Sequence, residues 1–286
     1  MQKGVPQIMD ITSIKSVLHD LSEEVLPSRF ETAQQPEPNI IQFCLRGINS
    51  QTWIEVSWNS DSARILKINR PEKIGAESTL SKQLRYGLKY MALVTIEQDK
   101  FERVIKFGFA KKPGDEINKY LIFELMGKHS NIFYLDNNQK IIAVGKQINS
   151  NQSSFRTVST GSIYSEPPKN MKKEPSPNES YETWKESISS VPESLKYCLI
   201  NTYQGVSPIL TKQLETFSNL GSVEIMNKNI DFISETNLKK IYQSWKIWID
   251  RFNKNNFNFS IFDNFFYSVW FLKNEIKNKN NIDQIK

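Results

Sequence analysis

Five short apolar segments follow one another between Leu93 and Val144: Leu93 to Ile96, Val104 to Phe109, Leu121 to Leu125, Ile132 to Leu135 and Ile141 to Val144. Each has the length and composition of a strand, and turns such as Asp136-Asn137-Asn138 join them. A parallel pair needs a crossover of about a dozen residues or more, and none of these connections is that long. The pairing is therefore expected to be antiparallel. The fold class that follows is α+β, an antiparallel sheet or sandwich with helices at its edge.

The preceding residues extend the same picture. Asp10 stands where it can cap a helix whose apolar positions Ile14, Val17, Leu18, Leu21 and Val25 recur at helical spacing, and Pro27 marks its end. From Ile40 the period changes to two. Ile41, Phe43 and Leu45 alternate, Asn49-Ser50 offers a turn, and Ile54, Val56 and Trp58 alternate again, which predicts a β-hairpin. A second helix is predicted from a Ser78 cap through Leu80, Leu84, Leu88 and Met91.

Between Asn149 and Ser180 the chain is rich in Ser, Asn, Pro, Lys and Thr and lacks periodicity, as in Glu174-Pro175-Ser176-Pro177. A linker and domain boundary are expected there. Helical patterns resume in Ile188 to Tyr203, Pro208 to Phe217, and a stripe through Leu238, Ile241, Trp245, Trp248 and Phe252. The organisation read from this is an α+β domain over 1–150, a polar linker over 151–180, an α-helical domain over 181–253, and the start of a further region over 254–286, with Phe265 to Leu272 strand-like.

Composition limits the function classes. No apolar run approaches the 20 residues of a membrane span, and the opening Met1 to Pro6 has no apolar core of a signal peptide. The two cysteines, Cys44 and Cys198, are far apart and belong to no metal-binding spacing, so a reducing cytoplasm and no zinc or disulfide are expected. The formal charge of +6 favours a polyanionic partner, although a Lys- and Asn-rich surface alone explains as much. No Walker A loop, GxSxG or HExxH occurs. His129 lies in a polar turn, and His19 and Asp20 are adjacent on a helix and point apart, so neither reads as catalytic.

The stretch Phe123-Glu124-Leu125-Met126-Gly127-Lys128-His129-Ser130-Asn131-Ile132-Phe133-Tyr134-Leu135-Asp136 resembles the most recognisable segment of the NFACT family. Leu26-Pro27-Ser28-Arg29-Phe30 with Gln34-Gln35-Pro36 is similar to the family's opening, and Tyr203-Gln204-Gly205-Val206-Ser207-Pro208-Ile209-Leu210 to its helical part. The resemblance implies an N-terminal domain similar to that of formamidopyrimidine-DNA glycosylases followed by a helix-hairpin-helix domain. It implies a ribosome quality-control factor that sits on a stalled large (50S) subunit carrying peptidyl-tRNA. Its partners would be rRNA and charged tRNA, alanyl-tRNA in bacteria, recruited for mRNA-independent C-terminal tailing. No cofactor, membrane or small-molecule substrate is implied.

The family's Asp-Arg pair for tRNA handling falls on Glu102 and Arg103, with an acid one methylene longer. Arg103 suits phosphate, a base edge or an unpaired base, and Glu102 can accept from a 2′-hydroxyl or base amine. A second contact triplet falls on Glu124, Leu125 and Met126, where the competing reading has Leu125 and Met126 filling the core. In the helical part, Gly205 and Ser207 would present backbone amides at the start of a helix opened by Pro208, with Lys212 one turn on; an ordinary helical hairpin fits the same residues. Lys82, Arg85 and Lys89 form a basic stripe, a solvated face by default and a candidate for phosphate contacts within such a family. The rival classes are a nucleic-acid-binding relative of the glycosylases without catalysis, since Pro6 is too deep to supply a terminal amine, and an adhesin matching the family's older fibronectin-binding label.

Overall fold

The computed structural model describes residues 8–74, 77–149, 151, 156–218, 220, 224–263 and 266–271. The chain divides into a unit of residues 17–169 and a unit of residues 1–16 with 170–286.

Among the described residues of the first unit, nine strands form one antiparallel sheet: β1 (Ser28–Glu37), β2 (Ile40–Arg46), β3 (Gln51–Ser57), β4 (Arg64–Ile68), β5 (Ala92–Gln98), β6 (Val104–Ala110), β7 (Lys119–Glu124), β8 (Asn131–Asp136) and β9 (Ile141–Val144). The order is β4-β3-β2-β1-β5-β6-β7-β8-β9, so apart from the β4 to β5 passage each strand pairs with its neighbour in sequence. The α+β class and the antiparallel pairing agree with the short connections.

The sheet curls. Phe43 on β2 and Phe123 on β7 stand four strand spacings apart, about 19 Å on a flat sheet. Their rings are nevertheless stacked at 6.3 Å. Phe107 meets both edge-on, at 6.2 and 5.2 Å, and Phe30 packs against Phe43 and Phe109. All five rings are fully buried. The inward-facing aromatic residues of distant strands close one core, as in two layers packed face to face.

Helix α1 (Ile11–Val25) begins as expected, with the Asp10 carboxylate accepting from the Ser13 amide at 2.9 Å. Helix α2 (Thr79–Gly87) has its Ser78 cap, the hydroxyl accepting from the Ser81 amide at 3.0 Å, but it ends before Met91. Tyr90 has φ +67°, outside the helical region, and its amide turns to the Phe30 carbonyl. Lys89 thus lies beyond the helix and leaves the stripe of Lys82 and Arg85. At Gly87 the buried Tyr134 ring comes so close that a Cβ would overlap its hydroxyl. Gly87→Ala is expected to destabilise by about 1–3 kcal/mol through overpacking, although alanine is the better helix former by ~1 kcal/mol. Urea unfolding measures the sign, and a stabilised variant would show that Tyr134 gives way.

Strands β1 and β4 are absent from the sequence reading. β1 carries register shifts after Phe30 and after Gln34, which break the alternation a strand is recognised by. Nor do the composition-based linker residues all lie apart. Val158 and Tyr164 are buried with Val104, Ile122, Phe133, Leu135 and Ile141. Ile148 and Val158 exchange backbone hydrogen bonds at 2.8 and 2.9 Å.

The second unit holds α3 (Tyr181–Ile188), α4 (Leu195–Thr202), α5 (Pro208–Ser218), α6 (Glu235–Asn253) and a hairpin of β10 (Ser260–Asp263) and β11 (Phe266–Ser268). The helix expected over 188–203 is confined to α4, and α3, which ends at Ile188, begins ahead of the expected span. Ser189 to Ser194, with Pro192 among them, separate α3 from α4, and a new cap at Ser194 accepts from the Tyr197 amide. Trp245 packs at 4.7–6.3 Å from Tyr203, Trp184 and Trp248, and the Trp248 indole donates to the Thr12 hydroxyl at 2.9 Å. Phe265, Leu272 and everything after Phe271 in the expected further region lie outside the described residues.

Candidate nucleic-acid interface

Strand register brings the two N-terminal motifs to one end of the sheet. Val104 pairs with Glu124, and one residue outward the Leu125 amide donates to the Arg103 carbonyl at 2.9 Å. The turn before β6 is held by the Glu102 amide on the Asp99 carbonyl, 2.8 Å, and the Gln98 side chain on the Glu102 carbonyl, 3.1 Å. Glu102 and Arg103 are both half-buried.

The triplet divides. Glu124 is buried, accepts from the Tyr164 hydroxyl at 2.9 Å, and forms an ion pair with Arg156 at 2.8 Å. Burial pushes its carboxyl above the ordinary range, with Arg156 and Tyr164 pulling it back. The Tyr164 phenol is pushed up by burial and by the Glu124 charge. The Arg156 guanidinium also lies about 5 Å from the centres of the Phe133 and Tyr164 rings. Leu125, 2% exposed, is core. Met126 is half-buried against the cluster around Phe133. Of the three only Met126 is partly exposed, and Leu125 lies in the core.

A cleft of about 490 Å³ opens beside this end, lined by Glu97, Asp99, Glu102, Lys106, Glu166 and Lys169 among others. Four carboxylates against two ammonium groups leave a balance of two negative charges. Lys106 and Glu166 pair at 2.6 Å, which holds the Glu166 carboxyl below its usual range. Such a lining repels phosphate and suits hydrogen-bond donors such as hydroxyls and amines. Glu102 lines the cleft; Arg103 is not among its lining residues.

On α2, Lys82 is exposed, while Arg85 pairs with Glu77 and lies over the Tyr86 ring. Lys89 sits 5.0 Å from the centre of the Tyr90 ring. In the helical unit Gly205 has φ +71° and so turns the chain between α4 and α5. Pro208 opens α5, and the Ser207 hydroxyl accepts from the Leu210 amide at 3.1 Å, filling one of the helix's free donors with its own side chain. Lys212 is exposed and lies 4.7 Å from the Phe266 ring centre.

Arg156 and Tyr164 escaped the sequence reading. They stand 32 and 40 residues beyond Glu124 in a stretch of linker composition, and nothing local announces them. Among the described residues no group of His, Cys, Asp and Glu could hold a metal ion, and no helix is long and apolar enough to cross a membrane. Both cysteines are buried and unbridged.

The family described as "NFACT N-terminal and middle domains" matches residues 10–286. The chain belongs to the NFACT family. Among curated NFACT relatives, the Rqc2 homolog RqcH of Streptococcus pneumoniae serotype 2 is 31% identical over 156 residues, covering 53% of this chain and 28% of the relative. The Rqc2 homolog RqcH of Bacillus subtilis is 26% identical over 199 residues, covering 68% of this chain and 35% of the relative. The matched stretches therefore span about a third of those relatives' lengths. The N-terminal part of the fibronectin/fibrinogen-binding protein from Streptococcus suis superimposes with a TM-score of 0.68 at 22% identity, over 91% of this chain and 90% of that one. The fibrinogen-binding protein from Staphylococcus aureus does so with a TM-score of 0.69 at 19% identity, over 92% and 90%. These two likenesses are of fold.

Proposed function

We propose that the chain is the RNA-gripping portion of a ribosome quality-control factor that works in the cytoplasm on stalled large subunits. It engages tRNA and rRNA there and recruits charged tRNA for C-terminal tailing of the nascent chain. The observation that carries this reading is the NFACT match over residues 10–286, together with curated relatives named Rqc2 homolog RqcH. Peptide-bond chemistry in this reading belongs to the ribosome, and the protein contributes positioning.

The geometry supports distinct roles for the motif residues. Arg103 supplies the fork that grips phosphate or stacks on an unpaired base, and the partly exposed Met126 offers an apolar contact at the same end of the sheet. Glu102, at the rim of an acidic cleft, accepts from 2′-hydroxyls and base amines, which separates RNA from DNA. Glu124 is a positioning residue: its buried pair with Arg156 fixes the strand end that carries Met126. In the helical unit the α4–turn–α5 segment serves as a helix-hairpin-helix, with Gly205, Ser207 and Lys212 near an RNA backbone.

Arg103→Ala is expected to lower tRNA affinity by about 1–3 kcal/mol while the thermal midpoint hardly moves. The same titration repeated across salt should show affinity falling steeply, with a slope of roughly 0.7–0.9 per neutralised phosphate. Filter binding with purified tRNA measures both, and unchanged affinity in the variant would remove Arg103 from the site. The names of the solved neighbours favour a second reading, an adhesin for fibronectin or fibrinogen. Co-sedimentation decides: association with large subunits supports the first reading, and capture by immobilised fibronectin without subunit binding supports the second.

A further inference from the structure

The end of the sheet opposite Arg103 carries a different surface. Strand β6 runs from Val104 to Ala110, so its ends lie roughly 20 Å apart at about 3.3 Å per residue. At the far end, register places Arg46 opposite Arg29, Arg29 opposite Ala92, and Ala92 opposite Ala110, with Lys111 and Lys112 following directly. These residues border a shallow groove of about 490 Å³ that also includes Tyr90 and Ile48, and no acidic residue is among its lining residues.

Two physical features make this more than a solvated basic edge. The first is Tyr90. The residue is 63% exposed, yet its backbone is fixed in the left-handed region at φ +67° by hydrogen bonds on both sides of the buried Phe30: Tyr90 N–H to Phe30 C=O, 3.2 Å, and Phe30 N–H to Met91 C=O, 2.8 Å. A non-glycine residue is held in that region only when its surroundings over-determine it. The Arg29 guanidinium lies 5.7 Å and the Lys89 ammonium 5.0 Å from the ring centre. The second is the state of the cations. Glu31 accepts from both Arg29 and Arg46, which orients the two guanidinium groups and still leaves net positive charge and further N–H donors. Lys111 and Lys112 are exposed and have no carboxylate partner among the described residues.

We propose that this groove is a second RNA contact, in which Arg29, Arg46, Lys111 and Lys112 bind the phosphates of a single-stranded segment and one base stacks on Tyr90. The proposal rests on the RNA-binding reading above. A preset aromatic face set among cations in excess of their carboxylates is what a stacking platform on a charged track requires. An acidic peptide would use the cations and leave the ring idle. A membrane surface would call for a protruding apolar cluster, and here Ile48, 99% exposed at the β2–β3 turn, is the one large aliphatic side chain among the groove's lining residues.

The test is fluorescence anisotropy of the whole chain with a labelled single-stranded oligouridine RNA. Tyr90→Asn removes the ring with a residue that tolerates the left-handed region, and should weaken binding about tenfold, while Tyr90→Phe keeps wild-type affinity. Lys111→Gln with Lys112→Gln should lower the slope of log affinity against log salt by about 1.4, roughly 0.7 for each phosphate no longer neutralised. If the Tyr90→Asn and lysine variants bind like wild type while Arg103→Ala loses affinity, the groove is overturned and the proposed function stands. Should the wild-type chain bind no RNA, both fall. Tyr90-dependent binding to phosphatidylserine vesicles, with RNA affinity unchanged, would overturn the groove in favour of a lipid surface.

Discussion

Replacing Arg156 with methionine is expected to destabilise the protein by about 3 kcal/mol or more at pH 7, because it leaves Glu124 buried without its cation. A loss of that size lowers a thermal midpoint by roughly 10 °C in a domain of this length. The penalty should depend on pH with a definite sign. Burial already raises the folded-state pKa of Glu124 above its unfolded value, so the folded chain holds this proton more tightly. Its contribution to stability is full below the unfolded pKa and is lost as pH rises through the folded one. Taking away Arg156 raises the folded value further, so the difference between variant and wild type should be small near pH 4 and grow toward pH 7. Urea unfolding at both pH values measures this. A penalty of the same size in acid would mean that Arg156 acts through its packing on Phe133 and Tyr164 and not through charge. Adding Glu124→Gln to the variant should recover part of the loss, since an amide is far cheaper to bury than an unpaired carboxylate.

Phe107→Ala should cost about 3–5 kcal/mol by emptying the centre of the curled sheet. Its ring bridges Phe43 and Phe123, which belong to strands four places apart, so the cavity opens between layers and neither layer can collapse alone to fill it. Phe107→Leu should recover more than half of that loss. The contrast with Arg103→Ala is the useful part. One change is expected to remove stability, the other affinity, and a measured loss of RNA binding with a normal midpoint can then be assigned to the surface.

Much of this architecture is legible locally. Short connections between Leu93 and Val144 dictate antiparallel pairing without any knowledge of partners, and the Asp10 and Ser78 caps announce their helices. What escapes does so for physical reasons. Strand β1 hides behind its bulges, and the helix expected through Met91 stops at a tyrosine held in a conformation that only tertiary bonds impose. The same limit governs the site. Arg103 and the strand end at Glu124 meet because of register, and that juxtaposition follows once β6 and β7 are paired. Arg156 cannot be found this way, since it reaches Glu124 from a stretch whose composition reads as a tether. The groove around Tyr90 draws on β1, the end of β2 and the turn after it, the turn between α2 and β5, and the turn after β6, segments that share no spacing rule.

The residues from 156 to 169 have a further consequence. Strand β9 is the last of its sheet, and an outermost strand offers its free amides and carbonyls to any passing chain. Ile141, Ile148 and their partners Ser162 and Val158 bond across that border, and Tyr164 turns inward beneath it. The segment is a selvedge, the finished margin that stops a fabric from fraying. The same segment that covers the β9 border also carries Arg156 and Tyr164, so edge protection and the pairing of the buried Glu124 charge depend on one stretch of chain. The polar composition that makes the stretch look dispensable is what lets it face water on one side while sealing the sheet on the other.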